Sequence, residues 1–167
     1  MNLDLGFDKG LAQQWATAIV CISGGLLVGG HVFEFILELP PCPLCMTQRV
    51  FFFLCGAIAY LSLLHRPRIG IYPLLGALAA IGGAYFAGRM LWLQSLPADQ
   101  VPACGPDLAY MLDVFPMQDL VIAMTSGTGD CAATAWSFIG ISIPGWALLG
   151  FIALFCCSAL QLRESLR

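Results

Sequence analysis

Two cysteines at the edge of an apolar segment have the spacing of a redox-active dithiol. Cys42 and Cys45 form a Cys-x-x-Cys motif, and Arg49 follows four residues after Cys45. If a helix begins at this motif, Cys42 lies near its N-terminus, where free N–H groups and the helix dipole favour a thiolate. Cys45 and Arg49 then share one helix face. The guanidinium could stabilise a thiolate at Cys45 or negative charge on a bound electron acceptor.

The motif borders one of four long apolar runs. The 167 residues are 59% hydrophobic and 10% charged, whereas a soluble domain has about 25% charged residues. A helix needs about 20 apolar residues to cross the hydrocarbon core of a bilayer. The composition therefore predicts an all-α, four-helix membrane bundle that forms a single domain over residues 1–167. The spans are expected at about 15–35, 44–64, 69–91 and 143–162.

The basic residues predict which side of the membrane each loop faces, because cytoplasmic loops carry an excess of Lys and Arg. Residues 92–142 contain five aspartates and no Lys or Arg. Both termini are therefore expected in the cytoplasm, and loops 36–43 and 92–142 on the outer side. Arg89 is expected to extend its side chain to the outer interface. Five basic residues fall on the predicted cytoplasmic side: Lys9, Arg66, Arg68, Arg163 and Arg167.

This topology divides the eight cysteines into two groups. Four of them, Cys42, Cys45, Cys104 and Cys131, lie on the outer side, where an oxidising environment favours two disulfides. Proximity favours the pairs Cys42–Cys45 and Cys104–Cys131, although four cysteines allow three pairings. The other four lie inside spans and are expected to act as small buried hydrophobic residues: Cys21, Cys55, Cys156 and Cys157.

The two outer pairs differ in what a bond would achieve. Closing the short Cys42–Cys45 loop stabilises the chain little, so this pair suits thiol exchange better than bracing. A Cys104–Cys131 bond taken alone would suit bracing of a long loop. A zinc site is disfavoured, because Cys104 and Cys131 are too far apart to form the second compact ligand pair that zinc sites use.

Packing signals appear in the long outer loop and in the spans. Leu108, Met111, Leu112 and Phe115 recur at helical spacing, and the apolar character continues beyond Pro116. The pattern predicts a short amphipathic helix that either lies on the outer membrane surface or packs over the bundle.

Small residues in the first and third spans predict close contacts between helices. They lie at six positions: Gly25, Gly29, Gly83, Ala84, Ala87 and Gly88.

The electron acceptor is not a cofactor with a recognisable sequence motif. The chain contains no haem-attachment motif, dinucleotide glycine fingerprint or P-loop. A dithiol at the lipid boundary suits an acceptor that dissolves in lipid, and a quinone is the obvious candidate.

In these features the chain resembles the bacterial disulfide bond formation protein B (DsbB) family. The resemblance rests on four stretches and extends over essentially the whole chain. They are CPLCMTQR, VPACGP around Cys104, GTGDC ending at Cys131, and WSFIGISIPGW before the fourth span. A Cys-x-x-Cys motif with an arginine four residues later and a second cysteine pair in the next outer loop is far more specific than Cys-x-x-Cys alone.

The resemblance implies a protein-disulfide:quinone oxidoreductase of the bacterial inner membrane. Such a protein reoxidises a periplasmic thioredoxin-like dithiol oxidase (DsbA type) and passes the electrons to ubiquinone, or to menaquinone without oxygen. When the family's roles are assigned to the matching motif positions of this chain, Cys104 would form the mixed disulfide with the partner, and Cys131 would exchange with Cys42. Cys45 would meet the quinone, and Arg49 would stabilise negative charge there.

One departure and three alternatives remain open. Some members of the family have a histidine near the outer end of the third span, where this chain has Met90 and Leu91. His31 could substitute, although a packed interfacial histidine is the simpler interpretation.

The first alternative is a thiol protein of the vitamin K epoxide reductase type, which usually has its Cys-x-x-Cys motif late in the bundle, whereas this chain has it at the second span. A paralogue with a different periplasmic partner is also possible. A structural membrane protein braced by loop disulfides would not require Arg49.

Overall fold

The computed structural model contains four long helices that are apolar enough to cross a membrane. It describes residues 7–36, 38, 41–65, 70–97, 99–106, 108–134 and 136–166. The all-α membrane bundle predicted from the composition is confirmed. The long helices are α1 (Phe7–Phe35), α2 (Pro43–His65), α3 (Ile71–Ser95) and α6 (Ile143–Ser165).

The helices extend beyond the apolar runs that predicted them. The first helix begins at Phe7 and the third ends at Ser95, whereas the expected spans began at 15 and ended at 91. An apolar run marks only the hydrocarbon core, and a helix can continue through the polar interface. Three of the basic residues named above lie outside the described part of the chain: Arg66, Arg68 and Arg167.

The four long helices form a closed ring in which each packs on two neighbours, in the order α1, α2, α3, α6. In its centre the rings of Phe52 and Phe151 stack with their centroids 3.9 Å apart. Gly83 lies against Phe151, and a Cβ at Gly83 would come within 2.1 Å of that ring. The close contact predicted at Gly83 is confirmed.

Other small residues do not serve close packing. A Cβ added at Gly25, Gly29 or Gly88 would meet no atom within 4 Å. The prediction of close contacts is therefore wrong at these three positions. Gly25 and Gly29 instead line a cavity on the inner side of α1, so their missing side chains leave space rather than bring two helices together.

Two of the cysteines inside spans are also placed differently from expectation. Cys55 is buried and Cys157 is half-buried, but Cys21 and Cys156 are exposed on the outside of the bundle. The prediction of burial is wrong for Cys21 and Cys156. Lipid tails are as apolar as a protein core, so a thiol in a span does not need to face inward.

The long outer loop folds into two short helices, α4 (Leu108–Val114) and α5 (Met117–Ser126). Met111, Leu120 and Ala123 form a small buried cluster, so one face packs inward. The opposite face exposes Met117 and Val121. The predicted amphipathic segment is thus present as two helices, with both a packed face and an exposed apolar face.

Two polar contacts fasten α5 to the bundle. Thr47 Oγ1 on α2 donates to the Met124 carbonyl at 2.7 Å. Arg89 Nε on α3 donates to the Ser126 carbonyl at 2.9 Å, and the Arg89 guanidinium lies 5.8 Å from the Trp92 ring centroid. Arg89 therefore binds the end of α5, a role beyond the interfacial position expected for it.

The chain then forms a 3-10 turn at Gly129–Ala132 and a hairpin of β1 (Ser137–Phe138) and β2 (Ile141–Ser142), which leads directly into α6. The Gly129 N–H donates to the Ala103 carbonyl at 3.1 Å. A Cβ at Gly129 would lie 2.4 Å from the Pro102 carbonyl oxygen. The absence of a side chain here lets the segment that carries Cys104 approach the turn that carries Cys131.

Candidate active site

The Cys-x-x-Cys motif lies at the N-terminus of α2. The helix begins at Pro43, which suits a first turn because proline has a fixed φ and lacks the N–H that would be unpaired there. Cys42 immediately precedes the helix and Cys45 lies in its first turn. Their sulfur atoms are 3.1 Å apart. The sequence prediction that this dithiol begins the second span is confirmed.

Cys131 lies beside this dithiol. Its side chain is fully buried, in a cluster with Leu44, Met90 and Leu93 against which Cys42 and Cys45 pack. Hydrogen-bond interactions with Cys42, with the backbone of Leu44 and with Thr128 act on the Cys131 sulfur. Three of the four predicted site cysteines therefore meet at one end of the bundle.

The electrostatics of this cluster favour a thiolate on Cys131. The hydrogen bond from Cys42 lowers the pKa of Cys131 to about 6, against the opposing effect of burial. The N–H of Leu44 acts in the same direction, as expected at a helix N-terminus. The pKa of Cys42 is raised, first by its hydrogen bond to Cys131 and then by Cys45 and burial. The shared proton thus stays on Cys42.

Cys104 is separate from this cluster and exposed. The neighbouring carboxylate of Asp130, through a hydrogen bond and its charge, raises the pKa of Cys104. Asp130 also accepts a hydrogen bond from the Thr128 hydroxyl at 3.4 Å. All eight cysteines are present as thiols, and the disulfide pairs Cys42–Cys45 and Cys104–Cys131 stay predictions.

Met90 contacts both sulfurs of the motif. Its Sδ lies 3.8 Å from Cys45 Sγ and 4.0 Å from Cys42 Sγ, and Gln48 Nε2 approaches it at 3.6 Å. A buried thioether therefore lies where the sequence lacks the histidine of some relatives. Sequence reasoning noted Met90 only as the position without a histidine and did not assign Gln48 to the site, because the contact between them joins two helices.

His31 lies elsewhere. Its Nδ1 is 2.8 Å from the Leu27 carbonyl oxygen on its own helix, and its ring stacks on Phe35. It lines a shallow groove on the outer face of α1. This geometry agrees with a packed interfacial histidine and not with a substitute for the missing residue near Met90.

Arg49 is bound to α1. Its Nη1 forms an ion pair with Glu34 Oε2, and its Nη2 donates to the Gly30 carbonyl at 2.8 Å. Nη1 also lies 3.8 Å from Met46 Sδ. The sequence predicted that Arg49 stabilises a Cys45 thiolate or a bound electron acceptor, and it did not identify Glu34 as its ion-pair partner.

A cavity of about 230 Å³ connects these groups. Cys42, Cys45 and Arg49 lie on its wall, and Gln48 and Gln94 add polar amides. Within the described residues, no group of three or more His, Cys, Asp or Glu side chains is arranged to hold a metal ion. The remaining wall is largely apolar and aromatic: Leu26, Phe33, Phe52, Trp136 and Trp146.

Comparisons with known proteins agree with the resemblance seen in the sequence. The family model described as disulfide bond formation protein DsbB matches residues 12–161. "Disulfide bond formation protein B" of Hahella chejuensis is 49% identical over 131 residues, which are 77% of this chain and 79% of that protein. The protein of the same name from Saccharophagus degradans is 43% identical over 150 residues, 87% and 90% of the two chains.

A third relative, "Disulfide bond formation protein B 1" of Pseudomonas aeruginosa, is 41% identical over 147 residues, 86% of this chain and 88% of that protein. No solved structure gave a significant match. The matched range contains Cys42, Cys45, Cys104, Cys131 and Arg49. With four apolar helices long enough to span a bilayer, this chain is a multi-pass membrane protein of the disulfide bond formation protein B (DsbB) family, a disulfide oxidoreductase family.

Proposed function

We propose that this chain oxidises a periplasmic thioredoxin-like dithiol oxidase of the DsbA type and passes the two electrons to a membrane quinone. The order of the sulfurs supports this proposal most strongly. Cys104 is exposed and Cys131 is buried against Cys42. Cys42 lies 3.1 Å from Cys45, and both line the cavity. The predicted Cys104–Cys131 disulfide would complete a route for electrons from the surface through these sulfurs to the cavity.

The first exchange starts with both predicted disulfides formed. A thiolate of the partner attacks the Cys104 sulfur, a partner–Cys104 bond forms, the Cys104–Cys131 bond breaks, and Cys131 leaves as a thiolate. A leaving thiolate of lower pKa leaves faster. Hydrogen bonds with the backbone of Leu44 and with Thr128 are available to a leaving Cys131 thiolate, whereas Cys104 lies beside the Asp130 carboxylate. Exposure and hydrogen bonding therefore both direct the attack to Cys104.

The second exchange moves the electrons to the motif. The Cys131 thiolate attacks Cys42, a Cys42–Cys131 bond forms, the Cys42–Cys45 bond breaks, and Cys45 leaves as a thiolate. The partner's other thiolate then attacks the partner–Cys104 bond and leaves as an oxidised disulfide, which frees Cys104. Attack of Cys104 on Cys131 restores their bond and frees Cys42. The two electrons now lie on Cys42 and Cys45.

The residues around the cavity fit a quinone. An apolar cavity of about 150 Å³ holds benzene, so about 230 Å³ admits a substituted six-membered ring. Aromatic side chains line it, and Gln48 and Gln94 offer amides for ring oxygens. A bound quinone would supply a two-electron, two-proton acceptor, as in the DsbA–DsbB–quinone chain known to keep the bacterial periplasm oxidising. Cys42 and Cys45 would return to the disulfide.

The proposal requires a defined orientation. Cys104 and Cys131 must face the periplasm, where the partner is found, and both termini must then face the cytoplasm. The excess of basic residues at the opposite ends of the helices supports this orientation. The proposed site residues are Cys42, Cys45, Cys104 and Cys131 as redox cysteines, with Arg49 and Cys45 beside the acceptor, which is ubiquinone or menaquinone.

The test is quinone reduction in detergent, driven by a reduced periplasmic DsbA-type partner and followed by quinone absorbance. We expect Cys45→Ala to abolish turnover. Cys156→Ala is the matched control, because it removes a thiol on the outside of the bundle, and it should have normal activity. Normal turnover by Cys45→Ala would rule out the relay.

A second variant tests where electrons enter. Cys104→Ala should not turn over with the protein partner. With a small dithiol that reaches Cys42 and Cys45 directly, the same variant should still reduce quinone. If Cys104→Ala still accepts electrons from the protein partner at the normal rate, Cys104 is not the site of attack.

A further inference from the structure

Glu34 has a structural relation to the cavity that its position in the sequence does not reveal. It lies in the last turn of α1 and forms an ion pair with Arg49. Arg49 lines the cavity, whereas Glu34 is not among the residues of the cavity wall. The carboxylate therefore holds the guanidinium from the side that faces away from the cavity.

A second contact restricts the guanidinium further. The Gly30 carbonyl, one helical turn before Glu34, accepts a hydrogen bond from Arg49 Nη2 at 2.8 Å. A Cβ at Gly30 would lie 3.2 Å from Arg49 Nε. The guanidinium thus lies close to the α1 backbone at Gly30, and a side chain at residue 30 would push it away.

The two contacts leave part of the guanidinium unused. The group has five N–H donors in a fixed plane. Nη1 is directed to Glu34 and to Met46 Sδ, and one donor on Nη2 is directed to Gly30. The remaining donors stay available on a residue of the cavity wall. A planar group held at two points loses little further conformational freedom when it binds an oxygen anion.

The ion pair also determines the net charge around the guanidinium. Glu34 and Arg49 are 26% and 17% exposed, so both charges are largely removed from water and each needs the other. The pair is neutral as a whole. A neutral lipid-soluble molecule can therefore enter without displacing a hydrated cation, while the donors still favour negative charge that develops in the cavity.

We infer that Glu34 is a positioning residue of this protein: together with the Gly30 carbonyl, it holds the Arg49 guanidinium on the wall of the cavity in the orientation that receives the oxygen of a bound quinone. The inference rests on the proposed function for the identity of the ligand. The anchoring itself rests on the contacts of Glu34, Gly30 and Arg49.

The first experiment measures steady-state quinone reduction by Glu34→Gln with a saturating reduced partner. Loss of orientation weakens quinone binding more than the exchange steps, so we expect the KM for quinone to rise about 5- to 20-fold and kcat to change less than threefold. Glu34→Asp keeps the charge and should reverse at least half of the increase in KM. Glu38→Gln makes the same charge change in the following loop and is the matched control. Its KM and kcat should equal those of the wild type.

The second experiment does not depend on activity. Phenylglyoxal modifies accessible guanidinium groups, and peptide mapping by mass spectrometry gives the rate at Arg49. We expect modification at Arg49 to be at least threefold faster in Glu34→Gln and in Gly30→Ala, with no change at Arg163. Gly30→Ala should also raise the KM for quinone, since it displaces the same group from the other anchor.

The outcomes separate the two proposals. If wild-type protein reduces quinone but Glu34→Gln has an unchanged KM and an unchanged Arg49 modification rate, the positioning role is wrong and the proposed function stands. If Glu34→Gln loses helical content and kcat together with KM, Glu34 is only a structural brace, which also overturns the inference. If the wild type reduces no quinone, the proposed function fails, while faster modification of Arg49 would still establish the anchoring.

Discussion

At the scale of single residues, the two cysteines of the outer loop are made unequal by their neighbours. Cys131 is buried and accepts hydrogen bonds from Cys42 and the Leu44 N–H. Cys104 is exposed beside a carboxylate. In thiol–disulfide exchange the attacked sulfur must be accessible and the leaving sulfur must tolerate negative charge. The folded loop thus supplies a direction that two cysteines in a flexible chain would lack.

Asp130→Asn tests the origin of this asymmetry. Removal of the carboxylate should lower the pKa of Cys104, whose present pKa is raised by Asp130. In the fully reduced protein at pH 8 we expect alkylation of Cys104 by iodoacetamide to become about two- to fivefold faster, because the thiolate is the reactive form. Asp119→Asn, on exposed α5, is the control. An unchanged rate at Cys104 would show that Asp130 does not act on it.

The pKa of Cys131 predicts a pH profile. Folding lowers this pKa to about 6, so the thiolate is populated above pH 6 and is lost as the pH falls through that value. In the fully reduced protein, where Cys42 carries its proton, the alkylation rate of Cys131 should therefore rise about tenfold from pH 5 to 7 and level off above pH 7. Alkylation by a small reagent for a fixed time, followed by mass mapping, measures it. A rate that still rises tenfold between pH 7 and 8 would indicate an ordinary thiol.

At the scale of secondary-structure elements, α5 determines where Cys131 lies, because the 3-10 turn follows it directly. Arg89 donates to the Ser126 carbonyl at the end of α5. A hydrogen bond from a charged group contributes about 1.5–3 kcal/mol. Arg89→Met should therefore speed hydrogen exchange in residues 117–126 at least tenfold, as measured by mass spectrometry. Arg163→Met, near the other end of the bundle, should have no effect there. Unchanged protection would show that Arg89 does not dock the helix.

The exposed face of α5 predicts contact with lipid. Met117, Val121 and Ile122 are 74%, 54% and 59% exposed, an arrangement typical of helices that lie in the membrane interface. A lipid-soluble diazirine should therefore label these side chains in proteoliposomes, at least threefold more than Gln118 and Asp119 on the same helix. Equal labelling of both sets would mean that α5 stays in water.

At the scale of the whole molecule, glycines have two distinct roles that sequence spacing does not separate. Gly83 permits contact between α3 and Phe151 of α6, whereas Gly88 borders open space. Gly83→Ala should therefore destabilise the bundle by about 1–3 kcal/mol, the usual cost of overpacking, while Gly88→Ala should be neutral. Thermal unfolding of both variants in the same detergent measures this. Equal midpoints would contradict the packing at Gly83.

The same distinction explains the cavity. Gly25, Gly29 and Gly30 place bare backbone of α1 opposite the Cys-x-x-Cys motif, and they lie on the cavity wall. In the sequence Gly25 and Gly29 match the close-packing pattern of membrane helices. Only the position of α1 relative to α2 and α6 shows that this backbone borders the cavity and the Arg49 guanidinium.

The sequence alone determined the four spans, their all-α character and the dithiol at the start of the second span. These features depend on local composition: a bilayer of fixed thickness requires long apolar runs, and proline with a free N-terminal turn marks where α2 begins. The resemblance to the DsbB family likewise depends on short motifs that can be read along the chain.

The tertiary structure alone decided which distant residues complete the site. Glu34 reaches Arg49, Met90 contacts Cys42 and Cys45, and Cys131 is buried beside Cys42. Each contact joins elements far apart in sequence, so no spacing rule contains it. Helix packing in lipid depends on how side chains fit together rather than on burial of apolar surface from water, and that fit exists only once all the helices are in place.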